Sequence, residues 1–528
     1  MTRPALGELD GRSFDVAVIG AGANGASAAQ HLAAAGYDVL LVDKGDYGSG
    51  SSSRSSRLLH CGLRYLAPGG SMWDFVRHPN ALRIALTMAR KAMECRAQLV
   101  ETAPERTQKL NFCFPIFDGG PYKPWQVSLA MRLLEHLGPS SVPLDYRHLG
   151  PKEVAHTPLA RWLRDQDKLR GLAMFREYRY EWPERIIADA VLDAERMGAV
   201  ARNYTAVTGM AKAGDGWRLT LADPTAPGTT AAVGAKVVLN MAGIWIDRVN
   251  ALAKPGATRR INGTKGSHIV VRLPADCAEY GIATINRENE PFYCIPWRGL
   301  HFFGPTETLY DGDPDDVRVT DDEVDWLIDE ANHMLPALGL RRQHVIFSWA
   351  GVRPLGADPD FPKGKRSREV HDLAADGMPG VYAMTAGPIM THRSAGPEMI
   401  DIVASKVAPR RARQTPSYAA AAFPDNQNSP PLLDHDTRVK LSDLKFAATR
   451  EHATSLIDIL FRRVPVGWTE GMAHAEALKA AQAVAPELGW DQQRIDQEVR
   501  AYRAHIEQFY RVDPQGRAID VEPRSARP

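Results

Sequence analysis

The stretch Phe14-Asp-Val-Ala-Val-Ile19-Gly20-Ala21-Gly22-Ala23-Asn24-Gly25 decides the fold of this chain. Six residues of strand character run into a tight glycine turn, and the Ala-rich stretch Ala26 to Ala35 reads as the helix that follows. Gly20 permits the turn and Gly22 lets backbone N–H groups approach an anion. Gly25 lets the helix pack close to the strand with its positive end facing that anion. A second strand, Asp38-Val-Leu-Leu-Leu-Val42, ends at Asp43, about 20 residues further on, where a carboxylate can hold a ribose hydroxyl pair. Strand, turn, helix and acid in this order point to a bound dinucleotide.

Around this unit the chain is ordinary for a soluble globular protein, with 528 residues, 44% hydrophobic and 24% charged. That length supports two or three domains. A net charge of +1 gives no field for nucleic acid. The five cysteines, Cys61, Cys95, Cys113, Cys277 and Cys294, contain no C-x-x-C pair. They suggest a reducing, cytoplasmic setting, with neither a disulfide framework nor a metal site. Met1 to Arg12 is polar, and no apolar run reaches the length of a membrane span.

Strand and helix signals alternate from Phe14 to about Arg90, as in a doubly wound sheet. Trp125 to Leu137 reads as an amphipathic helix stopped by Gly138-Pro139. The pattern then turns to strands, at Val200 to Val207, Trp217 to Leu221, Lys236 to Leu239, Ser267 to Val271 and His301 to Phe303. Asp321 to Leu335 is helical, Val381 to Thr385 a buried strand, and Ser394 to Val407 a helix. Pro409 to Pro431 has linker composition, and Lys440 to Leu460 and Asp491 to Tyr510 predict a separate helical domain. The expected fold is therefore α/β, a Rossmann-like dinucleotide-binding domain with an interleaved β-rich substrate domain and a C-terminal helical domain. The predicted core spans 14–408, with cofactor parts at about 14–90, 170–262 and 345–408 and substrate parts at about 91–169 and 263–344. The helical domain spans 432–515.

The glycine turn alone does not separate NAD from FAD, since both present the same ADP half. Gly48-Ser-Gly-Ser-Ser-Ser-Arg-Ser-Ser-Arg57 is dense in hydroxyl and N–H groups and suits a second pass over a pyrophosphate. Asn240-Met-Ala-Gly-Ile-Trp245 and Thr385-Ala-Gly387 bring small-residue turns after two further strands. Three glycine approaches to one ligand suit a cofactor as large as FAD.

With Ser51 to Leu66, Lys265-Gly-Ser-His-Ile-Val-Val271, Ile295-Pro-Trp297, Gly351-Val-Arg-Pro-Leu355 and the C-terminal helices, the chain resembles the FAD-dependent glycerol-3-phosphate dehydrogenases, within the group that includes D-amino-acid oxidase. The resemblance covers nearly the whole chain. It implies FAD contacts at Gly20, Gly22, Gly25, Asp43, Ser51, Ser53, Ser55, Val207, Ala242 and Gly243. Asn24, Lys44, His60, Trp245, Gly387 and Thr391 complete the expected cofactor set.

The implied reaction oxidises the secondary alcohol of sn-glycerol 3-phosphate, or a related polyol phosphate, by hydride transfer to flavin N5, with a quinone as acceptor. Arginine suits the dianionic phosphate, because its planar fork binds bidentately and stays charged. Each charge-assisted bond contributes about 1.5–3 kcal/mol; micromolar binding needs about 8 kcal/mol. The resemblance places Arg64, Tyr65 and Arg353 at the substrate, with Arg368 as a third arginine. His268 is the candidate base, His60 the second candidate, and Arg353 would stabilise charge developing on oxygen. A structural role for either histidine, or an ion-paired role for any one arginine, is the competing reading.

Three departures fall near the reacting end. The family's Gly-Gly-Lys-Leu-Thr-Thr-Tyr-Arg is Ala386-Gly-Pro-Ile-Met-Thr-His-Arg393 here, so Pro388 replaces a lysine. Its Gly-Thr-Thr-Asp is Gly304-Pro-Thr-Glu307, and the second glycine after His60 is Cys61. They leave open which polyol phosphate is bound. An FAD-dependent oxidase or dehydrogenase of an amine, amino acid or non-phosphorylated polyol is the alternative, followed by a soluble NAD enzyme and a non-catalytic flavin-binding protein. The resemblance further implies peripheral contact with the inner face of the cytoplasmic membrane, for which the helix Trp125 to Leu137 is the candidate. A homodimer is left open.

Overall fold

The computed structural model describes residues 3–66 and 79–510, with the side chains at positions 64, 79 and 81 outside that description. Two large sheets organise the chain. In the first, Val381–Thr385, Thr230–Asn240, Ser13–Ile19, Val39–Val42 and Val200–Arg202 lie side by side and parallel. Every residue from Phe14 to Ile19 and from Val39 to Val42 is buried. A strand covered on both faces needs such an unbroken apolar run. The Ala-rich helix Ala23–Ala34 is buried along almost its whole length, between helices Pro183–Arg196 and Ala395–Ala404. Small side chains let it lie that close.

The alternation from Phe14 to Arg90 therefore does not build a sheet from consecutive strands. After Val39–Val42 the next parallel neighbour comes from residues 200–202, while Leu58–Leu59 joins the second sheet and Pro79–Thr102 is one long helix. The signal was local, whereas the pairing is between strands far apart in sequence.

Among the described residues the second sheet has eleven strands. Phe361–Lys365, Val345–Asp358, Ile261–Val271, Leu300–Gly304, Pro291–Trp297, Tyr280–Ile285, Thr107–Phe117, Leu169–Tyr180 and Leu58–Leu59 run across it in that order. Segments 169–180 and 345–365, expected among the cofactor parts, pair within this sheet and not within the parallel one. Their buried strands carry no mark that distinguishes one sheet from the other.

The strand expected over 200–207 breaks at Asn203-Tyr204-Thr205 into Val200–Arg202 and Ala206–Ala213. The helix expected over 440–460 stops at Arg450 and resumes as a wider turn over Asp458–Arg463. Helices Ala477–Leu488 and Gln492–Phe509 complete the C-terminal region. Among the described residues that region shares one hydrophobic core with the second sheet. Trp468 meets Trp297 and Trp349 of the sheet at ring distances of 5.6 and 6.3 Å, with the Arg57 guanidinium 4.4 Å from the Trp468 ring and 4.3 Å from that of Trp297. Buried charges reinforce the junction. Asp46 accepts from Arg462 (2.5 Å) and from both ends of Arg463 (2.7 and 2.8 Å), linking the turn after Val39–Val42 to the C-terminal region.

Candidate active site

The carboxyl ends of the parallel strands open into one cavity of about 770 Å³, the place where open α/β sheets bind ligands. Gly20, Asp43, Met241 to Gly243, and Ala386 to Pro388 line it, each just beyond a strand end. Gly20 has φ +102° and a Cβ there would lie 2.7 Å from the Met241 carbonyl oxygen. At Gly25 a Cβ would fall 1.8 Å from the Gly20 carbonyl oxygen. Gly25 therefore lets the helix pack against the turn and is not among the residues that line the cavity.

Asp43 accepts from the Ala21 N–H at 2.7 Å and the Gly45 N–H at 2.9 Å. Burial raises its pKa, and those two donors oppose the shift. Lys44 lies over the Trp245 ring at 4.3 Å and pairs with Asp315 at 2.5 Å, and Val207 and Asn24 also line the cavity.

The serine run wraps the middle of the cavity. A tight turn over Ser51–Ser53 sends successive hydroxyls in different directions. Ser51 Oγ donates to the Val352 carbonyl at 2.5 Å, and Ser53 Oγ to the Gly50 carbonyl at 3.0 Å. Ser52 Oγ accepts the Ala23 N–H at 3.1 Å, at the helix N-terminus. Ser55 Oγ accepts from Arg57 N at 3.2 Å, while Ser56 Oγ meets His268 Nε2 at 2.9 Å. Sequence reasoning chose Ser51, Ser53 and Ser55 and missed Ser52 and Ser56. Those three came from the resemblance, whereas Ser52 and Ser56 stand out only through their contacts in the fold, Ser52 Oγ with the Ala23 N–H and Ser56 Oγ with His268 Nε2.

At the opposite end the second sheet supplies the wall. His268, on Ile261–Val271, stacks on Trp349 (4.8 Å, 15°), its register neighbour on Val345–Asp358. Its Nδ1 is buried without a hydrogen-bond partner among the described residues. Burial first, then the positive charges of Arg353 and Arg57, hold its pKa well below the usual 6.5, so the imidazole is neutral at physiological pH. The Arg353 guanidinium lies over Gly266, where a Cβ would come within 2.6 Å of it. Its Nη1 is 3.9 Å from Glu307, which also pairs with Arg366.

His60 and Tyr65 line the same end, their rings 5.9 Å apart. The Cys61 N–H behind them donates to the buried Glu177 at 2.6 Å, and Glu177 pairs with Arg96 at 3.4 Å. Arg64 belongs to the turn Leu63–Leu66, and its side chain lies outside the described residues.

Two expected residues are elsewhere. Arg368 turns away from the cavity to Glu398 (3.0 Å), the Thr391 carbonyl and Ser394 Oγ (both 2.9 Å). Thr391 Oγ1 donates to the Pro388 carbonyl, within its own turn, and is not on the lining. Arg366, Glu307, Tyr293 and Ile389 do line the cavity and were not picked as site residues. Only Glu307 carried a signal, as a departure from the family pattern.

A family model described as FAD dependent oxidoreductase matches residues 15–393, and one described as the C-terminal domain of alpha-glycerophosphate oxidase matches 414–495. The chain belongs to the FAD-dependent oxidoreductase family. A glycerol-3-phosphate dehydrogenase of Synechocystis sp. is 29% identical, over 95% of this chain and 98% of the relative. Glycerol-3-phosphate dehydrogenase 2 of Mycobacterium tuberculosis is 28% identical, over 94% and 89%. Among solved structures, the glycerol-3-phosphate dehydrogenase of Bacillus halodurans complexed with FAD superposes with a TM-score of 0.71 at 20% identity, covering 96% of this chain and 97% of that one. FAD is the cofactor of this oxidoreductase. The N–H donors of the glycine turn and helix N-terminus, the serine hydroxyls and the Asp43 acceptor around one cavity fit a pyrophosphate and a ribose.

Proposed function

We propose that this FAD-dependent oxidoreductase oxidises sn-glycerol 3-phosphate, or a close polyol phosphate, to the corresponding ketone and passes the electrons to a quinone. The observation that carries the reading is the pairing of a neutral, buried histidine with a guanidinium at one end of the cofactor cavity. The names of the relatives that span nearly the whole chain support the same substrate.

FAD held along the glycine turn, Asp43 and the serine turn would supply the two-electron acceptor for a hydride from the carbinol carbon. Arg353 binds and orients the anionic substrate and stabilises negative charge on the reacting oxygen. His268 takes the hydroxyl proton, with Ser56 fixing the ring through its contact with Nε2. A dianion bound beside Arg353 offsets that residue's charge, so substrate binding raises the proton affinity of His268 when a base is needed. His60 and Tyr65 enclose the substrate from the other side, with Arg64 as a further phosphate ligand. Asn24, Lys44, Val207, Ala242, Gly243, Trp245 and Gly387 bound the dinucleotide part of the cavity.

For peripheral membrane contact, helix Pro124–Leu137 exposes Trp125 and Leu129, and Ile84 is exposed on Pro79–Thr102. Among the described residues no helix is long and apolar enough to cross a membrane.

Anaerobic addition of polyol phosphates, unphosphorylated polyols and amino acids, one at a time, tests the substrate. Bleaching of the flavin by glycerol 3-phosphate or a related ester is expected; bleaching by amino acids alone overturns the reading. Arg353→Ala should slow that reduction by orders of magnitude with FAD retained. Reoxidation by a short-chain quinone tests the acceptor.

A further inference from the structure

Among the described residues, Arg54, Arg57, Arg353, Arg366 and Arg462 line the cavity. Arg57 is paired with Glu184 and Arg462 with Asp46 and Asp458, and Arg54 donates to the Val317 carbonyl, whereas Arg353 and Arg366 share one carboxylate, Glu307. Arg353 lies on Val345–Asp358, the strand next to the edge of the second sheet. Arg366 follows directly on its edge strand Phe361–Lys365, and its carbonyl accepts the Gly387 N–H at 3.3 Å. That bond fixes Arg366 against the Ala386-Gly387-Pro388 turn, on the cofactor side of the cavity. Its side chain is 36% exposed, so it is neither a core residue nor fully in solvent.

Glu307 lies between the two arginines. One of its oxygens pairs with Arg366 and the other is 3.9 Å from Arg353. The carboxylate is 7% exposed and so has little water of its own. One negative charge held between two guanidinium groups is an internal stand-in for an external anion. An incoming dianion competes with it and meets cations already oriented by it.

We propose that Arg366 is a specificity-determining residue, which together with Arg353 reads the phosphoryl group of the substrate while Glu307 competes for the same two guanidinium groups. This deepens the polyol-phosphate reading and rests on it for the identity of the ligand. The anion site itself is tested without substrate. Arg368, nearby in sequence, is committed to Glu398 and has no part in it.

The FAD-loaded protein is titrated with inorganic phosphate, following the perturbation of the flavin spectrum, for the wild type, Arg366→Met and Glu307→Gln. Arg366→Met should weaken phosphate about tenfold, the loss expected of one charge-assisted contact. Glu307→Gln should tighten it, since the competing carboxylate is gone. In flavin reduction by glycerol 3-phosphate, Arg366→Met should raise half-saturation about tenfold and leave the limiting rate within about threefold. No phosphate binding by the wild type, or an unchanged or opposite response in either variant, overturns the proposal. If Arg366→Met fails to retain FAD, Glu307→Gln decides alone. If phosphate binds with the expected variant effects but no polyol phosphate reduces the flavin, the proposed function fails and the anion site stands.

Discussion

Gly266→Ala tests the reasoning about the active site without removing a single charged group. Gly266 lies in a regular antiparallel register opposite Gly351, so its backbone accepts alanine. The new methyl would lie 2.6 Å from Arg353 Nη2, 3.0 Å from Cζ and 3.1 Å from Nη1. Ordinary contact is about 3.5 Å, so the guanidinium must move by about 1 Å. The far end of an arginine can do this cheaply, and stability should change little. A displacement of about 1 Å at a positioning group costs on the order of 100-fold in rate, or about 2.7 kcal/mol of barrier. Anaerobic single-turnover reduction by saturating glycerol 3-phosphate measures it, with flavin absorbance per chain and the melting temperature as controls. A variant that keeps FAD and reduces at the wild-type rate would show that Arg353 does not need its place over Gly266, and the assignment would fall.

Other consequences follow from the same geometry. Gly25→Ala puts a methyl 1.8 Å from the Gly20 carbonyl; the helix must move off the turn, and the purified protein should lack flavin absorbance. Asp46→Asn leaves Arg463 without its carboxylate in the interior, while Arg462 keeps Asp458 at 2.6 Å. Burial alone would push the Asp46 pKa up, yet Arg463 and Arg462 hold it well below the usual range, so the pair is charged in the fold. Removing one partner of such a buried pair costs about 3–5 kcal/mol, visible as a lower denaturation midpoint, with the C-terminal region loosening first in hydrogen exchange. Burial pushes Glu177 up to about 7, against the pull of Arg96 and the Cys61 N–H. Because the folded value lies above the ordinary 4.5, the stability it contributes is complete below about 4.5 and is lost as pH rises through about 7. That loss is about 3 kcal/mol, and Glu177→Gln should flatten it in denaturation curves taken across that range.

The residues at strand ends were readable because their chemistry is local. A turn needs glycine where φ is positive, a ribose needs an acid after the second strand, and both can be counted along the chain. Positions Gly20, Asp43, Ala242 and Gly387 could therefore be placed at one ligand before any coordinates were known, and all four line one cavity. Arg368 could not be separated from Arg366 in this way. Two arginines two residues apart look alike in sequence, and one finds Glu398 while the other finds Glu307. Ser52 and Ser56 were missed for a related reason, since only their contacts in the fold, with the Ala23 N–H and His268 Nε2, set them apart.

By itself the sequence determined the cofactor half of this protein. Apolar runs of strand length, a glycine turn and an alanine helix permit one local arrangement whatever the rest of the chain does. Only the tertiary structure decided which strands share a sheet, that the C-terminal helices share a core with Trp297 and Trp349, and which arginines face the cavity. Those outcomes depend on contacts between segments hundreds of residues apart, where side-chain direction is set by packing and by the nearest buried carboxylate.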